Sequence, residues 1–482
     1  MAWSEPGIRR DRARALRAQV PRSSHAAWKP PPGRRDPVVI LCEQEAERVP
    51  ELVPIRHQRM VESPFTFFRG AAAVMAEDLA STPVSGLRVQ ACGDAHLLNF
   101  GIYATPERRL VFDGNDFDET LPAPFEWDVK RLAASVAVAA GMRGFSAQSC
   151  KRAARAAATA YRTRIAELAQ MGHLEVWYSR LDVDELIALM RKTQTREAGK
   201  LESGVRKARG KTSLGALDKL TAVIDGQRRI VDSPPLIEHL PERGASVDAP
   251  VVVRRYRRSL ADETRAVLER YRPVDWARKV VGVGSVGTDD AIVLLLGDSD
   301  RDPLFLQVKE AQASVLERFA GRSRYRNHGQ RVVAGQRLTQ AATDIFLGWT
   351  RIERRDYYVR QLRDMKRSVS IDRLSPEELT SMRVPAGRRL PAVMLAQVTG
   401  WRSVRTSDAQ TRLTARSLSS PSPTQIRPSA TTHPLPKRRA PESSRPLRSR
   451  RDARRSVGPA RGTGCAVERR QQGDALAVEA CG

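Results

Sequence analysis

The amino-acid sequence predicts a mixed α/β protein of the α+β type, with a helix-rich lobe first and a β-rich lobe second. Three observations carry this expectation. Alanine-rich stretches with helical spacing mark the first half, above all residues 125–142 and 147–170. From about residue 276 the texture changes to short apolar runs divided by turn residues, as in strands. After residue 381 Arg, Ser, Pro and Thr take over, a composition that buries too little apolar surface to order itself. The expected organisation is a basic flexible arm over 1–37, the helix-rich lobe over 38–272, the β-rich lobe over 273–381 and a disordered tail over 382–482.

Each element follows from its local pattern. Residues 65–80 repeat Phe68, Ala72, Met75 and Leu79 at spacings of three and four, which predicts a helix. LRVQAC (87–92) alternates like a strand, and RRLVFD (108–113) reads as a second strand. Asp182, followed by Glu185, predicts a capped helix start. The polar stretch 195–215 reads as a solvated connection and 250–272 as helical. Beyond 276, strands are expected in WARKVV, AIVLLL, DPLFLQVKEA and YYVRQL, with helices at 311–319 and 331–343. No internal repeat is visible.

Bulk properties set outer limits. The net charge of +27 suggests nucleic acid, but residues 382–482 carry +14 of it and residues 1–37 carry +6. The remaining +7 is ordinary for a domain that handles anionic phosphates, so specific nucleic-acid binding is not expected. No apolar run approaches the ~20 residues of a membrane span, and the Arg-rich N-terminus lacks the apolar core of a signal peptide. Five cysteines without a CxxC pair fit a reduced, cytoplasmic setting.

The chemistry concentrates in residues 91–118, ACGDAHLLNFGIYATPERRLVFDGNDFD. Asp94 and Asn99 stand five positions apart, and Asp113 follows the apolar run Leu110-Val111-Phe112. Phosphoryl transfer requires a carboxylate to orient the attacking hydroxyl, and an amide and a second carboxylate to hold magnesium against the phosphates. D-x-x-x-x-N followed by a strand ending in Asp supplies those groups in the order of a kinase catalytic loop. Asp116-Phe117-Asp118 also mimics D-F-G, so the metal ligand is Asp113 or Asp116, and the sequence leaves both open. His96 reads as a loop-stabilising residue and Asp128 as an acid that fixes the loop. Arg56, Arg59 and Arg69 are within reach of phosphate in principle, although surface or helix-end roles are the commoner outcome.

A second motif lies far downstream. Gly282, Gly284 and Gly287 form G-x-G-x-x-G between two expected strands, where glycines let backbone amides approach phosphate oxygens. A strand rather than a helix follows, which favours a kinase-type glycine loop over a dinucleotide fold. Lys309 ends the apolar strand 304–308, where an unpaired lysine would be costly. Its expected partner is Glu317 on the next helix, with Glu310 as the fallback.

VPIRHQRM (53–60), SPFTFFRGAA (63–72), CGDAHLLNFG (92–101), FDGNDFDETLPAPFEWDVKRLAASVAVAA (112–140), LFLQVKEAQASVLE (304–317) and DYYVRQLRDMK (356–366) closely resemble the bacterial family called domain of unknown function 2252. Its GDAHLLNFG segment resembles the HGDLHPGN loop of aminoglycoside phosphotransferases, and EWDVKRLA resembles their W-D-L-A helix. The resemblance implies a kinase-like fold that binds ATP and Mg2+, with Asp94 as base, Asn99 and Asp113 as magnesium ligands and Lys309 on the phosphates. The acceptor, a small molecule or a protein, is not specified. Glycine loop and lysine follow the catalytic loop instead of preceding it, which implies circular permutation. The rivals are a pseudokinase that holds nucleotide without turnover and a metallohydrolase using Asp94, His96, Asp113 and Asp116.

The tail invites one more expectation. Read with the last base of each codon joined to the first two of the next, residues 393–399 can encode His-Ala-Arg-Ser-Gly-Asp, which resembles the C-terminal part expected of the family. Residues from about 382 onward are therefore expected to be a frameshifted reading.

Overall fold

In the computed structural model, residues 6–26, 28–192, 197–240, 249–280 and 282–368 are described, together with the paired strands Arg383–Val384 and Arg388–Arg389. All of them belong to one compact unit, Met1–Pro423 with Cys481–Gly482. The rest of the expected tail lies outside the described residues. Among the described residues no helix is long and apolar enough to cross a membrane.

The chain opens with helix α1 (Pro6–Gln19), where a flexible arm was expected. The arm is also tethered: Arg34 forms a bidentate pair with Asp78 at 2.6 and 2.9 Å, and Arg35 pairs with Glu43 and Glu77. Helices α2 (Pro37–Glu45) and α3 (Val53–Val61) follow. The expected helix over 65–80 is two helices, α4 (Pro64–Gly70) and α5 (Ala72–Ala80), broken at Ala71. Ser63 starts α4 with a reciprocal capping box to Thr66. Gly70 lies against Met60, so the break seats α4 closely on α3.

The informative stretch is a nested hairpin. Strand β1 (Arg88–Ala91) leads into a loop, then β2 (Phe100–Ala104), a turn, β3 (Leu110–Gly114), a second loop and β4 (Leu121–Pro124). β2 pairs with β3 and β1 with β4, both antiparallel, which lays loops 92–99 and 115–120 side by side. Helices α6 (Phe125–Met142) and α7 (Ala147–Leu168) close over them, as the alanine pattern predicts. Ala139, Ala153, Ala157 and Ala160 share one buried cluster with Phe100, Ile102, Phe112 and Phe117. Short side chains and high helix propensity suit alanine to that contact.

After α8 (His173–Tyr178), α9 (Val183–Lys192) begins where Asp182 predicts it. Asp182 Oδ1 accepts from the amides of Asp184 and Glu185 at 3.1 and 3.2 Å. The expected solvated connection at 195–215 is instead α10 (Glu197–Arg209), followed by α11 (Ser213–Leu220). Its charges lie on a solvent face while Val205 and Ala208 are buried. A small hairpin, β5 (Thr221–Ile224) with β6 (Gln227–Ile230), precedes β7 (Ile237–Glu238).

The second sheet is six-stranded and antiparallel. It uses β7, β8 (Arg272–Lys279), β9 (Ala291–Leu296), β10 (Pro303–Glu310), β11 (Gly348–Ile352) and β12 (Arg355–Gln361), in the spatial order β11-β12-β10-β9-β8-β7. Of these strands β7 alone, apart from the first residue of β8, lies upstream of the boundary expected at 272. Helices α12 (Ala249–Tyr256) and α13 (Asp262–Leu268) bury Val252, Tyr256 and Leu268 against Val293, Leu295, Leu306 and Val308 of this sheet. The opposite face packs Phe305, Ile292 and Leu294 against Ala216 and Leu217 of α11. Further along that face, every second residue turns polar: Gln307 and Lys309 on β10 stand opposite Arg360 and Tyr358 on β12.

The helix expected over 311–319 is only the single turn α14 (Glu317–Ala320), while α15 (His328–Thr339) matches its expected start more closely than its end. Buried Arg331 on α15 donates to the carbonyls of Asp118 at 2.7 Å, Thr120 at 2.8 Å and Gln312 at 2.9 Å. It fastens the second acid loop to the sheet-bearing half. A last short strand, β13 (Arg367–Ser368), pairs with β2.

Candidate functional site

Loop 92–99 is held from beneath by α6. Asp128 Oδ2 accepts from the Cys92 amide at 2.7 Å and its Oδ1 from the Gly93 amide at 3.0 Å, the fixing role its sequence position suggests. Burial pushes the Asp128 carboxyl up to about 6, although those two amides and Arg131 favour its ionised form. Gly93 has a φ of +84°, and a Cβ there would collide with the Glu119 carbonyl. One turn along α6, Arg131 Nε donates to Asp94 Oδ1 at 2.5 Å, with a second contact from its Nη2. The same guanidinium lies 4.5 Å above the Phe68 ring. Asp94 is thus presented in one orientation, still partly open to solvent, with His96 Nε2 3.7 Å from its other oxygen. Burial holds His96 down at about 4, so it stands neutral.

Asn99 clips the two loops together. Its Nδ2 donates to the Asp94 carbonyl at 3.0 Å and the Asp116 carbonyl at 2.9 Å, while its Oδ1 accepts from the Asp116 amide at 2.7 Å. The amide oxygen expected to meet magnesium is engaged by backbone. Asp113 departs further from expectation. It is buried on β3, with Oδ1 accepting from Gly114 and Oδ2 from Ala341 at 2.8 and 2.9 Å, so it pins loop 340–342. Burial pushes its carboxyl up to about 7, against the pull of those two amides. Strand alternation explains its burial, because a residue at a strand's end faces the core or the loop according to register alone.

Asp116 and Asp118, rather than Asp113, lie beside Lys309. Lys309 Nζ reaches across from β10 to Asp118 Oδ2 at 2.7 Å and Asp116 Oδ1 at 3.6 Å. Tyr358 donates its hydroxyl to Asp118 Oδ1 at 2.6 Å, and its ring lies 5.3 Å from Lys309 Nζ. Arg360 donates to Gln307 Oε1 and the Asn115 carbonyl at 3.2 and 2.9 Å. Burial by itself would lower the Lys309 ammonium, but Asp116 and Asp118 outweigh it and hold it well above the ordinary lysine value. Burial likewise works to raise both acids. Lys309 overcomes it at Asp118, which ends below the usual carboxylate range, whereas the neighbouring Asp118 charge helps leave Asp116 above it.

Neither expected partner of Lys309 is its partner. Glu317 lies 3.8 Å from His328 and accepts from the Ser314 amide at 3.4 Å. Glu310 accepts from the Asp289 amide at 2.8 Å and lies 3.4 Å from Arg355. Glu310 follows Lys309 on β10 and so belongs to the strand's other face, while Glu317 lies past the strand on α14.

The glycine segment joins β8 to β9 as a turn, with left-handed φ of +65° at Gly282 and +95° at Gly287. It is seated on the first helices. Arg59 Nη1 donates to the Gly282 carbonyl at 2.5 Å, Arg48 Nη1 to the Val286 carbonyl at 2.5 Å, and Val49 N to the Gly287 carbonyl at 2.8 Å. A Cβ at Gly284 would lie 3.6 Å from the Arg69 carbonyl. Arg56, by contrast, is fully buried and paired with Glu45 at 2.5 Å.

Sequence reasoning assigned no role to Asp118, Arg131, Tyr358 or Arg360. Arg131 stands three after Asp128, hence on the same helix face, and Tyr358 and Arg360 alternate in an otherwise apolar strand; both spacings were legible signals.

Fold and site together define a mixed α/β protein in which a nested hairpin carries two acidic loops to a buried lysine on a separate antiparallel sheet. The chain belongs to the family DUF2252, described as an uncharacterized protein conserved in bacteria, whose model matches residues 48–418. Family likeness thus continues past residue 381, where the frame was expected to break. No curated protein and no solved structure matches the chain.

Proposed function

We propose that this protein is a kinase-like phosphotransferase that binds Mg-ATP and phosphorylates a hydroxyl acceptor, through a circularly permuted arrangement of the usual parts. The observation that carries the reading is the meeting of Lys309 with Asp116 and Asp118, at 3.6 and 2.7 Å, from segments about 190 residues apart in the chain. A buried lysine beside two acids suits a site where the ammonium moves onto phosphate and the acids onto a cation. Mg2+ is commonly held by one or two carboxylates plus substrate phosphates. Asp116 and Asp118 fit that demand, and Asp116 Oδ1 has no hydrogen-bond donor of its own. The bound cation would neutralise charge on the transferring group.

The chain's own residues account for the remaining steps. Arg131 fixes Asp94 so that one carboxylate oxygen can accept the hydrogen bond of an acceptor hydroxyl. As the acceptor oxygen bonds to the terminal phosphorus, the bond from that phosphorus to the bridging oxygen breaks. The hydroxyl proton passes to Asp94, and the leaving diphosphate keeps the electron pair. Lys309 stabilises the charge on the phosphates it contacts.

Nucleotide binding without turnover is a second reading, favoured by the engagement of the Asn99 oxygen with the Asp116 amide. The metallohydrolase draws less support, since Asp113 points away and, among the described residues, no group of three or more His, Cys, Asp or Glu is set to hold a metal. Thermal shift of the full chain tests these readings, because a ligand that binds only the folded state raises the melting temperature. Mg-ATP is expected to stabilise the wild type and to lose that effect in Lys309→Ala. Asp94→Asn should keep the shift while abolishing phosphate transfer. A wild type indifferent to every nucleotide would remove both nucleotide readings.

A further inference from the structure

We propose that Arg69, with Arg59 beside it, forms an anion subsite for the terminal phosphate of a nucleoside triphosphate. The inference rests on the nucleotide reading above and adds to it a residue that touches the group being transferred.

The backbone around Arg69 is fixed from both sides. Arg131 Nη2 donates to the Phe68 carbonyl at 3.1 Å, and Arg56 Nη2 donates to the Gly70 carbonyl at 2.8 Å. The Arg69 carbonyl abuts Gly284, and Arg59 holds the Gly282 carbonyl, so the two arginines flank the glycine turn. Four other arginines of these segments are committed. Arg131 is committed to Asp94, Arg56 to Glu45, Arg331 to three carbonyls and Arg360 to Gln307 and Asn115.

Arg69 differs. Its Nε is buried with no acceptor. Arg56 and Arg331 also bury an Nε without an acceptor, but their Nη atoms are engaged, whereas among the described residues no hydrogen bond or ion pair holds the Arg69 side chain. Burial works against its charge, Asp94 and Asp116 favour it, and Arg59 repels it. A buried guanidinium donor without a partner calls for an account. Its planar fork matches phosphate oxygens, and two like-charged arginines beside a glycine turn make an anion the complementary occupant. Lys309 lies with Asp116 on the sheet side, so an extended polyphosphate would run from Lys309 to Arg69 past Asp94 and Asp116. That placement assigns Arg69 to the terminal phosphate and Lys309 to the inner ones.

Titration of the full chain with ATP, ADP and inorganic tripolyphosphate in Mg2+ buffer, followed by calorimetry, tests the assignment. Arg69→Gln is expected to weaken ATP about 10- to 100-fold, the loss typical of one charge-assisted contact, and to leave ADP affinity unchanged. Retained ADP binding also reports that the variant is folded. Equal loss of ATP and ADP, or loss of neither, overturns the subsite while leaving the nucleotide reading in place. If the wild type binds neither nucleotide, that reading fails on its own. Tripolyphosphate then decides the subsite: binding lost in Arg69→Gln sustains it, and no binding by the wild type ends it.

Discussion

Replacing Lys309 with methionine tests the central contact of this protein without any ligand. Methionine matches the length of the lysine stem but leaves Asp116 and Asp118 facing each other without the ammonium 3.6 and 2.7 Å away. Removing one partner of a fully buried ion pair costs about 3–5 kcal/mol. Asp116 and Asp118 keep 46% and 31% side-chain exposure, so water screens part of that loss, and about 2 kcal/mol is the expected deficit at pH 8. The deficit must also depend on pH. In the wild type, Lys309 holds Asp118 below the usual carboxylate range, so that stabilisation is present above the unfolded-state value of ~3.9 and lost as pH falls through the folded value. In Lys309→Met burial and mutual repulsion dominate, both carboxyls shift upward, and protonating them relieves the variant as pH falls. Urea unfolding at pH 8.0 and 5.5 measures this. A variant as stable as wild type at pH 8.0, or a deficit that does not shrink at pH 5.5, would refute the assignment of Lys309 as the counter-charge of these acids.

Three further outcomes follow from the site. Asp116→Asn should abolish the magnesium dependence of the nucleotide-induced thermal shift while Asp113→Asn leaves it intact, read by titrating Mg2+ at fixed ATP. Asp113 is held up at about 7 by burial, so its ionisation costs stability as pH rises from ~4 through 7; Asp113→Asn should flatten that part of the stability profile in denaturant unfolding. Asp128→Ala strands the amides of Cys92 and Gly93, and a loss of about 2–4 kcal/mol is expected by chemical denaturation, with loop 92–99 losing hydrogen-exchange protection.

Local chemistry was legible where local physics decided the outcome. Helix α6 and the capped start of α9 follow from alanine propensity and from the hydrogen-bonding reach of Asp182. The strands at 291–296 and 303–310 follow from apolar runs cut by turn residues, whereas β8 starts at Arg272, ahead of the strand expected from 276. The loop holding Asp94 and the steadying role of Asp128 also lay within a few dozen residues of each other. Segment 195–215 was misread because its charges belong to one face of a helix whose other face is buried, and composition alone does not separate the two.

By itself, then, the sequence determined which acidic and basic residues were present, and on which strands and loops most of them lay. Only tertiary structure decided which of them meet. Asp113, Asp116 and Asp118 lie within six residues of one another, yet the register of the β2–β3 hairpin buries the first and the following loop offers the other two to Lys309. Lys309 finds those acids rather than Glu317 because the polar face of β10 and β12 is set by strand pairing, not by nearness in the chain. Arg69 was one of three similar arginines until packing gave Arg56 a carboxylate, gave Arg59 a glycine carbonyl and left the buried Arg69 Nε without an acceptor. Spacing along a chain sets what a loop can contain, whereas charge pairing in a folded protein depends on distances that only long-range contacts create.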